Sequence, residues 1–266
     1  MAQTGYWVIV THQAGQIGEK TKYWIPGKAP PRSERRKRAD VRKARQNDNN
    51  AVRRVARIMN ENFQGRDGSC LILEYGPDAI GGAYDPQDQE RWDDVWRYAN
   101  HQLGLFLRRC KRACKSAGIP LRYMGWTSDM RYDGKTQSQV HTRIHHHLIV
   151  NPEAEAICLQ QWHHGGCGGK RLTQQPDHTD FAKYLMDQVR RIDGRKRYIP
   201  SRNLRKPKES IPRIAPSARE VQPPKGAVLL DRAPYRPGCP QYIRYILPAD
   251  RVGAHGGGER REQAEV

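Results

Sequence analysis

The sequence predicts an α+β fold built on a mostly antiparallel sheet. Three observations carry this. Short runs of strand-forming residues are joined by hairpin-length links. One stretch of about thirty residues has a clear helical apolar stripe. A strand pair is followed by a further helix, without the regular β-α-β alternation of a parallel sheet. The elements follow in order. Tyr6-Trp7-Val8-Ile9-Val10-Thr11 and Thr21-Lys22-Tyr23-Trp24, punctuated by Gly15 and Gly18, read as a hairpin. Pro26 to Pro31 is a break. The segment 32–57 carries 11 Lys/Arg against 3 acids. From Asn50 to Phe63, Val52, Val55, Ala56 and Met59 recur at helical spacing, which predicts a basic helix. Gly65 to Gly68 is a turn, Ser69 to Tyr75 a short buried strand, and 77–86 a loop.

Residues 88–117 form the longest expected helix. Trp92, Val95, Trp96, Ala99, Leu103, Phe106, Leu107, Cys110 and Cys114 recur at three- and four-residue steps, and Gly118 ends the pattern. Leu121 to Trp126 and Arg143 to Val150 read as two strands, residues 153–162 as a short helix, Gly165 to Gly169 as a glycine-rich turn and 179–191 as another helix. Beyond about residue 192 the chain is basic and proline-rich with little periodicity, and its end from Gly253 is expected to be disordered.

Charge narrows the function. The 266 residues carry 47 Lys+Arg against 28 Asp+Glu, a net charge of +19. Such an excess calls for a polyanionic partner, and nucleic acid is the default. With 36% hydrophobic residues and a mean hydropathy of −0.91, no run approaches the ~18 apolar residues of a spanning helix, so no membrane partner is expected. Six cysteines are too few for a disulfide scaffold, and the N-terminus lacks a basic leader; a reducing cytoplasmic setting is the expectation.

The chemistry concentrates in His141-Thr-Arg-Ile-His-His-His-Leu-Ile-Val-Asn151. Strand side chains alternate, so His145 and His147 share a face at a Cα separation of about 7 Å. Two imidazoles so placed can converge on one divalent cation and leave it partly open. Arg143 shares their face. His146 lies on the other, with Ile144, Leu148 and Val150, and is expected to be packed. The helix Asp180-Phe-Ala-Lys-Tyr-Leu-Met-Asp-Gln188 offers a nucleophile, Tyr184, with Lys183 beside it. A phenol needs a cation to stabilise its oxyanion, and a tyrosine suits reversible phosphoryl transfer. Arg190 to Lys208 carries nine Lys/Arg and one acid. Arg190, Arg191, Arg195, Lys196, Arg197, Arg202, Arg205 and Lys206, together with Arg143, are the expected phosphate contacts. Tyr198 is a stacking candidate and an alternative nucleophile.

These pieces, taken in order, resemble the HUH endonucleases, the rolling-circle replication initiators of bacterial phages and plasmids. The resemblance rests on Glu61-Asn62-Phe63, Leu71 to Tyr75, Arg143 to His147, Trp162-His163-His164-Gly165, Ala182-Lys183-Tyr184-Leu185 and Ser201 to Pro207, and covers roughly residues 50–207. It implies a five-stranded antiparallel sheet flanked by helices, with the histidines on a central strand. It implies Mg²⁺ or Mn²⁺ on His145 and His147. It implies attack by Tyr184 on single-stranded DNA at a replication origin, leaving a 5′-phosphotyrosyl link and a free 3′-OH. Host helicase and polymerase would be partners, in the bacterial cytoplasm. On this reading, 1–31 is a hairpin and linker, 32–64 a basic helical segment, 65–207 the endonuclease domain and 208–266 a basic Pro-rich tail.

Two positions depart from the pattern. Asp187 stands where the family often has a lysine, and Lys183 lies about 100° around the helix from Tyr184. The third ligand, usually a carboxylate on the neighbouring strand, falls at Ser128, Asp129 or Glu74; Asp129 is the first choice if a bulge corrects its face. Other readings are a non-catalytic nucleic-acid-binding protein on the same scaffold and a metal-dependent hydrolase that uses water. Cys158, His163, His164 and Cys167 form a weaker zinc candidate, because their spacing fits no common finger. Gly165 to Gly169 lacks the Lys-Ser/Thr of a phosphate-binding loop.

Overall fold

The computed structural model describes residues 5–27, 41–80, 89–133, 135, 138–191, 196–215, 220–234 and 239–252. They form a mixed α+β protein with antiparallel sheets and four α-helices. The chain divides into two units, 38–206 and a second made of 1–37 with 207–266. Among the described residues no helix is long and apolar enough to cross a membrane.

The larger unit is a three-layer sandwich. Its sheet comprises β3 (Ser69–Glu74), β4 (Tyr123–Asp133), β5 (Ser138–Val150), β6 (Cys167–Arg171) and β7 (Ile199–Pro200), in the order β6-β3-β5-β4-β7 with every pair antiparallel. On one face lie α2 (Gln89–Ser116) and α3 (Glu155–Gln160). The stripe read from the sequence explains this layer. Ala99, Leu103, Phe106, Cys110 and Cys114 are fully buried against Leu71, Leu73, Ile144, Leu148 and Val150. Gly118 takes φ +71°, a left-handed position that favours glycine, and the Ile119 N–H closes back on the Cys114 carbonyl at 2.8 Å. On the opposite face lie α1 (Val41–Asn62) and α4 (Thr179–Asp187). Here Val55, Ala56, Met59 and Phe63 meet Met124, Trp126, Ile149, Ala182, Leu185 and Met186. Burying a side chain such as Met59 or Phe63 is worth about 1.5–3 kcal/mol. His178 locks α4 to α1: its backbone N–H donates to Asn60 Oδ1 at 2.8 Å, and its Nε2 lies 2.9 Å from the Phe63 carbonyl.

The smaller unit is a six-stranded antiparallel sheet. The expected hairpin is there as β1 (Gly5–Ala14) and β2 (Ile17–Pro26). The tail also contributes strands: β8 (Lys208–Glu209) and β9 (Arg213–Ile214) pair with β1, β11 (Gln241–Ile246) pairs with β2, and β10 (Val228–Arg232) adds the outer edge. The segment after residue 207, expected as a basic Pro-rich tail, thus contributes four strands to this sheet among its described residues. Its apolar runs are short and separated by prolines, which hides them from a periodicity reading. The 1–31 hairpin and the tail belong to one unit, and the basic helix belongs with the larger unit. The expected disorder from Gly253 lies outside the described residues.

Three local expectations are revised. The strand pair around 121–150 is a longer hairpin, with arms reaching Asp133 and starting again at Ser138. The helix over 179–191 ends at Asp187. Part of the glycine-rich segment is strand β6, paired with β3. Gly165, at φ +153°, makes that docking possible, because a Cβ there would sit 2.4 Å from the Gly76 nitrogen.

Candidate metal and nucleophile site

β5 is the central strand of its sheet, and its alternation sorts the histidines. His146 enters the α2 side, is fully buried, and lies 2.7 Å from the Tyr75 hydroxyl and 3.1 Å from Thr127 Oγ1. Burial, and then the neighbouring His145 and His147, push its pKa down to about 3. It is the packed histidine expected from its face.

His145 and His147 project toward the α4 side. Their Nε2 atoms stand 3.1 Å apart, and Gln188 Oε1 lies 2.9 Å from His147 Nε2. His145 Nδ1 lies 3.0 Å from the Arg143 carbonyl, which accepts its proton and turns the Nε2 lone pair toward the centre. Burial lowers the His147 pKa to about 4, so the ring is neutral near pH 7 and able to ligate. The Tyr184 ring, 54% exposed, packs edge-on to the His147 ring at a centroid distance of 6.1 Å and stacks on Phe181. Tyr184 on α4 and Gln188 at its C-cap, one turn apart, thus reach the same site.

The donor set fits a divalent cation. Two ligands at about 2.1 Å and a right angle are about 3 Å apart, the spacing seen here. Among the described residues His147 Nδ1 and Ser128 Oγ are buried without a hydrogen-bond partner. With a proton on Nδ1, the His145, His147 and Gln188 lone pairs point at one another, an arrangement that a cation relieves. The amide oxygen suits a hard cation such as Mn²⁺ or Mg²⁺, and the imidazoles favour a softer divalent ion.

The candidates for third ligand fall as follows. Ser128 and Glu74 are both in cross-strand register with His145 and share its face. Glu74 is exposed, whereas Ser128 is buried. Asp129, the first choice, lies elsewhere. The register between β4 and β5 shifts at this point, so that Thr142, Arg143 and Ile144 stand opposite Asp129 alone. Its fully buried carboxylate is held by Arg190, with the guanidinium Nε at 3.4 Å and the backbone N–H donating at 3.3 Å, and His141 Nδ1 is 3.8 Å away. Burial raises the Asp129 pKa, against the opposing pull of Arg190 and His141. The donor brought to the histidine pair is Gln188, which sequence reading passed over. Its signal was available: it follows Tyr184 by four residues, one helical turn on.

Among the described residues no three His, Cys, Asp or Glu side chains gather in a metal-holding group, either at the histidine pair or at the zinc candidates. Cys158 is buried in the α2/α3 core, Cys167 is exposed on β6, and the His164 ring packs on Tyr75 and Trp162. Tyr198 is partly buried, stacks on Trp126 and belongs to the α1/α4 core, so it is a packing residue.

The basic residues divide. Lys183, Arg143, Lys196, Arg202 and Lys206 are exposed, as is Asp187. Arg190 is turned inward, its guanidinium 3.4 Å from the Trp92 ring centroid. Arg191 and Arg197 share Asp48 of α1 at 2.8 and 3.0 Å. Arg205 caps α1, donating to the Glu61 carbonyl at 2.7 Å. Arg195 lies outside the described residues. Beside the histidine pair the sheet is uncovered: Ile72 is 43% exposed and every residue of β6 is exposed, which leaves an open strip beside Tyr184. No protein-family model, no curated protein and no solved structure matches the chain.

Proposed function

We propose that the protein is a metal-dependent nickase and strand transferase for single-stranded DNA, of the HUH endonuclease type, acting at an origin of rolling-circle replication. The observation that carries this reading is the convergence of His145, His147 and Gln188 beside the ring of Tyr184. A divalent cation, Mg²⁺ or Mn²⁺, when bound, supplies polarisation of a phosphate oxygen. The chain's own residues do the rest. His145, His147 and Gln188 hold three donors on one side of the site and leave the other side open. Tyr184 releases its phenolic proton to solvent and attacks phosphorus through the oxygen. The P–O3′ bond breaks, the departing oxygen takes a proton to become the 3′-OH, and the 5′-phosphate stays on the tyrosine. The uncovered strip over β3 and β6 is a floor for the strand, and the exposed cations of Arg143, Lys183 and Lys170 are available to its phosphates. Replication would enlist host helicase and polymerase in the bacterial cytoplasm.

The test is incubation with single-stranded origin-like DNA and Mn²⁺, followed by a denaturing gel. A protein–DNA adduct that disappears in Tyr184→Phe is the expected result. An adduct persisting in that variant refutes the nucleophile. Binding without any cleavage favours a non-catalytic DNA-binding protein on the same scaffold, for which the exposure of Asp187 at the usual lysine position is the supporting observation.

A further inference from the structure

The Asp129 carboxyl is fully buried, a costly arrangement that calls for a structural return. Its surroundings show where that return goes. At the register shift between Ser128 and Met130, the backbone N–H groups of Asp129 and Met130 both donate to the Gln188 carbonyl, at 3.2 and 3.1 Å. Two residues further on, the Arg190 N–H donates to Asp129 Oδ1 at 3.3 Å and its guanidinium Nε meets Oδ2 at 3.4 Å. That guanidinium lies on Trp92 of α2 and reaches the His141 ring of β5 at 2.6–2.8 Å. The chain leaving α4 is therefore gripped on both sides of Val189 by one point of β4. Gln188, the residue so gripped, is the one whose side chain reaches His147 Nε2.

We propose that Asp129 is a positioning residue for the metal site: through Arg190 and the backbone at Gln188 it fixes the end of α4, so that the Gln188 amide oxygen stays aimed at the His145/His147 pair. This rests on the metal-site reading above. It replaces the expected role of Asp129 as a ligand with a role behind the ligand. Supports of this kind are commonly worth tenfold or more in metal affinity.

The experiment is a double-mutant cycle on the full chain, read by Mn²⁺ calorimetry, with Gln188→Ala, Asp129→Asn and both together. Each single variant is expected to weaken Mn²⁺ roughly tenfold, and the double variant to be no more than about twofold weaker than Gln188→Ala alone. In the metal-free protein the His147 side-chain nitrogen resonance is expected to move in Asp129→Asn, a readout that general loosening of the fold does not move selectively. Arg190→Gln keeps the carboxylate and the backbone N–H to Oδ1 but removes the guanidinium arm, and is expected to weaken Mn²⁺ in the same direction; it carries the test if Asp129→Asn does not fold. Multiplicative losses in the double variant, or unchanged Mn²⁺ affinity in Asp129→Asn, overturn the inference while leaving the metal site standing, provided His147→Ala loses Mn²⁺. If His147→Ala binds Mn²⁺ as tightly as the parent, the metal-site reading fails and this inference fails with it.

Discussion

The Tyr184 ring packs edge-on to the ring of His147 at a centroid distance of 6.1 Å, while more than half of its own surface stays open to solvent. A ring kept for packing alone gains little from such a position. Tyr184→Phe is therefore expected to leave stability within about 0.5 kcal/mol of the parent, measured by urea unfolding, while removing the phenolic oxygen. A larger loss of stability would mean that the hydroxyl supports the fold.

Metal addition should stabilise the folded chain by mass action. At a Mn²⁺ concentration about a hundred times Kd, the gain is about 2.7 kcal/mol, visible as a raised Tm that EDTA reverses. His147→Ala should abolish the shift. An unchanged Tm shift in that variant would place the ion elsewhere.

His146 provides a pH dependence with a definite sign. Its pKa falls from an ordinary value near 6.5 to about 3 on folding, because burial disfavours the charged ring. The unfolded chain thus binds the proton more tightly. The stability this neutral ring contributes is complete above about pH 6.5 and is lost as pH falls toward 3, at roughly 1.4 kcal/mol per pKa unit of separation. Urea unfolding of the metal-free chain at pH 7.0, 5.5 and 4.5 should show the decline. His146→Gln, which cannot take up the proton, should lower stability at pH 7 and flatten the curve.

Gly165 anchors the turn that brings β6 against β3. Gly165→Ala places a Cβ against the Gly76 nitrogen and the Glu74 carbonyl at a φ that disfavours a side chain. A cost of about 1–3 kcal/mol is expected, read as a lowered Tm with increased amide exchange in β6.

Single-stranded DNA binding should weaken linearly in log salt, and removing one phosphate contact should shallow the slope by about 0.7. Fluorescence anisotropy across a salt series should show this for Arg143→Ala, whose side chain is exposed beside the site. It should be absent for Arg191→Ala, whose guanidinium is engaged by Asp48.

Where periodicity was strong, the sequence was readable. The stripe from Trp92 to Cys114 located α2 and its buried face, and strand alternation alone separated His145 and His147 from His146. The difficulties arose where local rules are overridden. Asp129 was read by strand period, but it sits at a register shift, where its backbone N–H donates to Gln188 and its carboxylate meets Arg190. Gln188 was missed because an amide at a helix end has no signature until its partner across the fold is known. Val228-Leu229-Leu230 and Gln241 to Ile246 were lost among prolines, since a short strand recruited by a distant hairpin carries little pattern of its own.

The pairing of β11 with β2 has a consequence for biosynthesis. More than two hundred residues separate the partners, and the whole larger unit is threaded between them. As the ribosome releases the chain from its N-terminus, the first hairpin must wait with one flank unpaired until Gln241 to Ile246 emerge, whereas every strand of the larger unit is already available. The histidine-bearing unit is thus expected to mature first, and the sheet that joins the two extremities to close last.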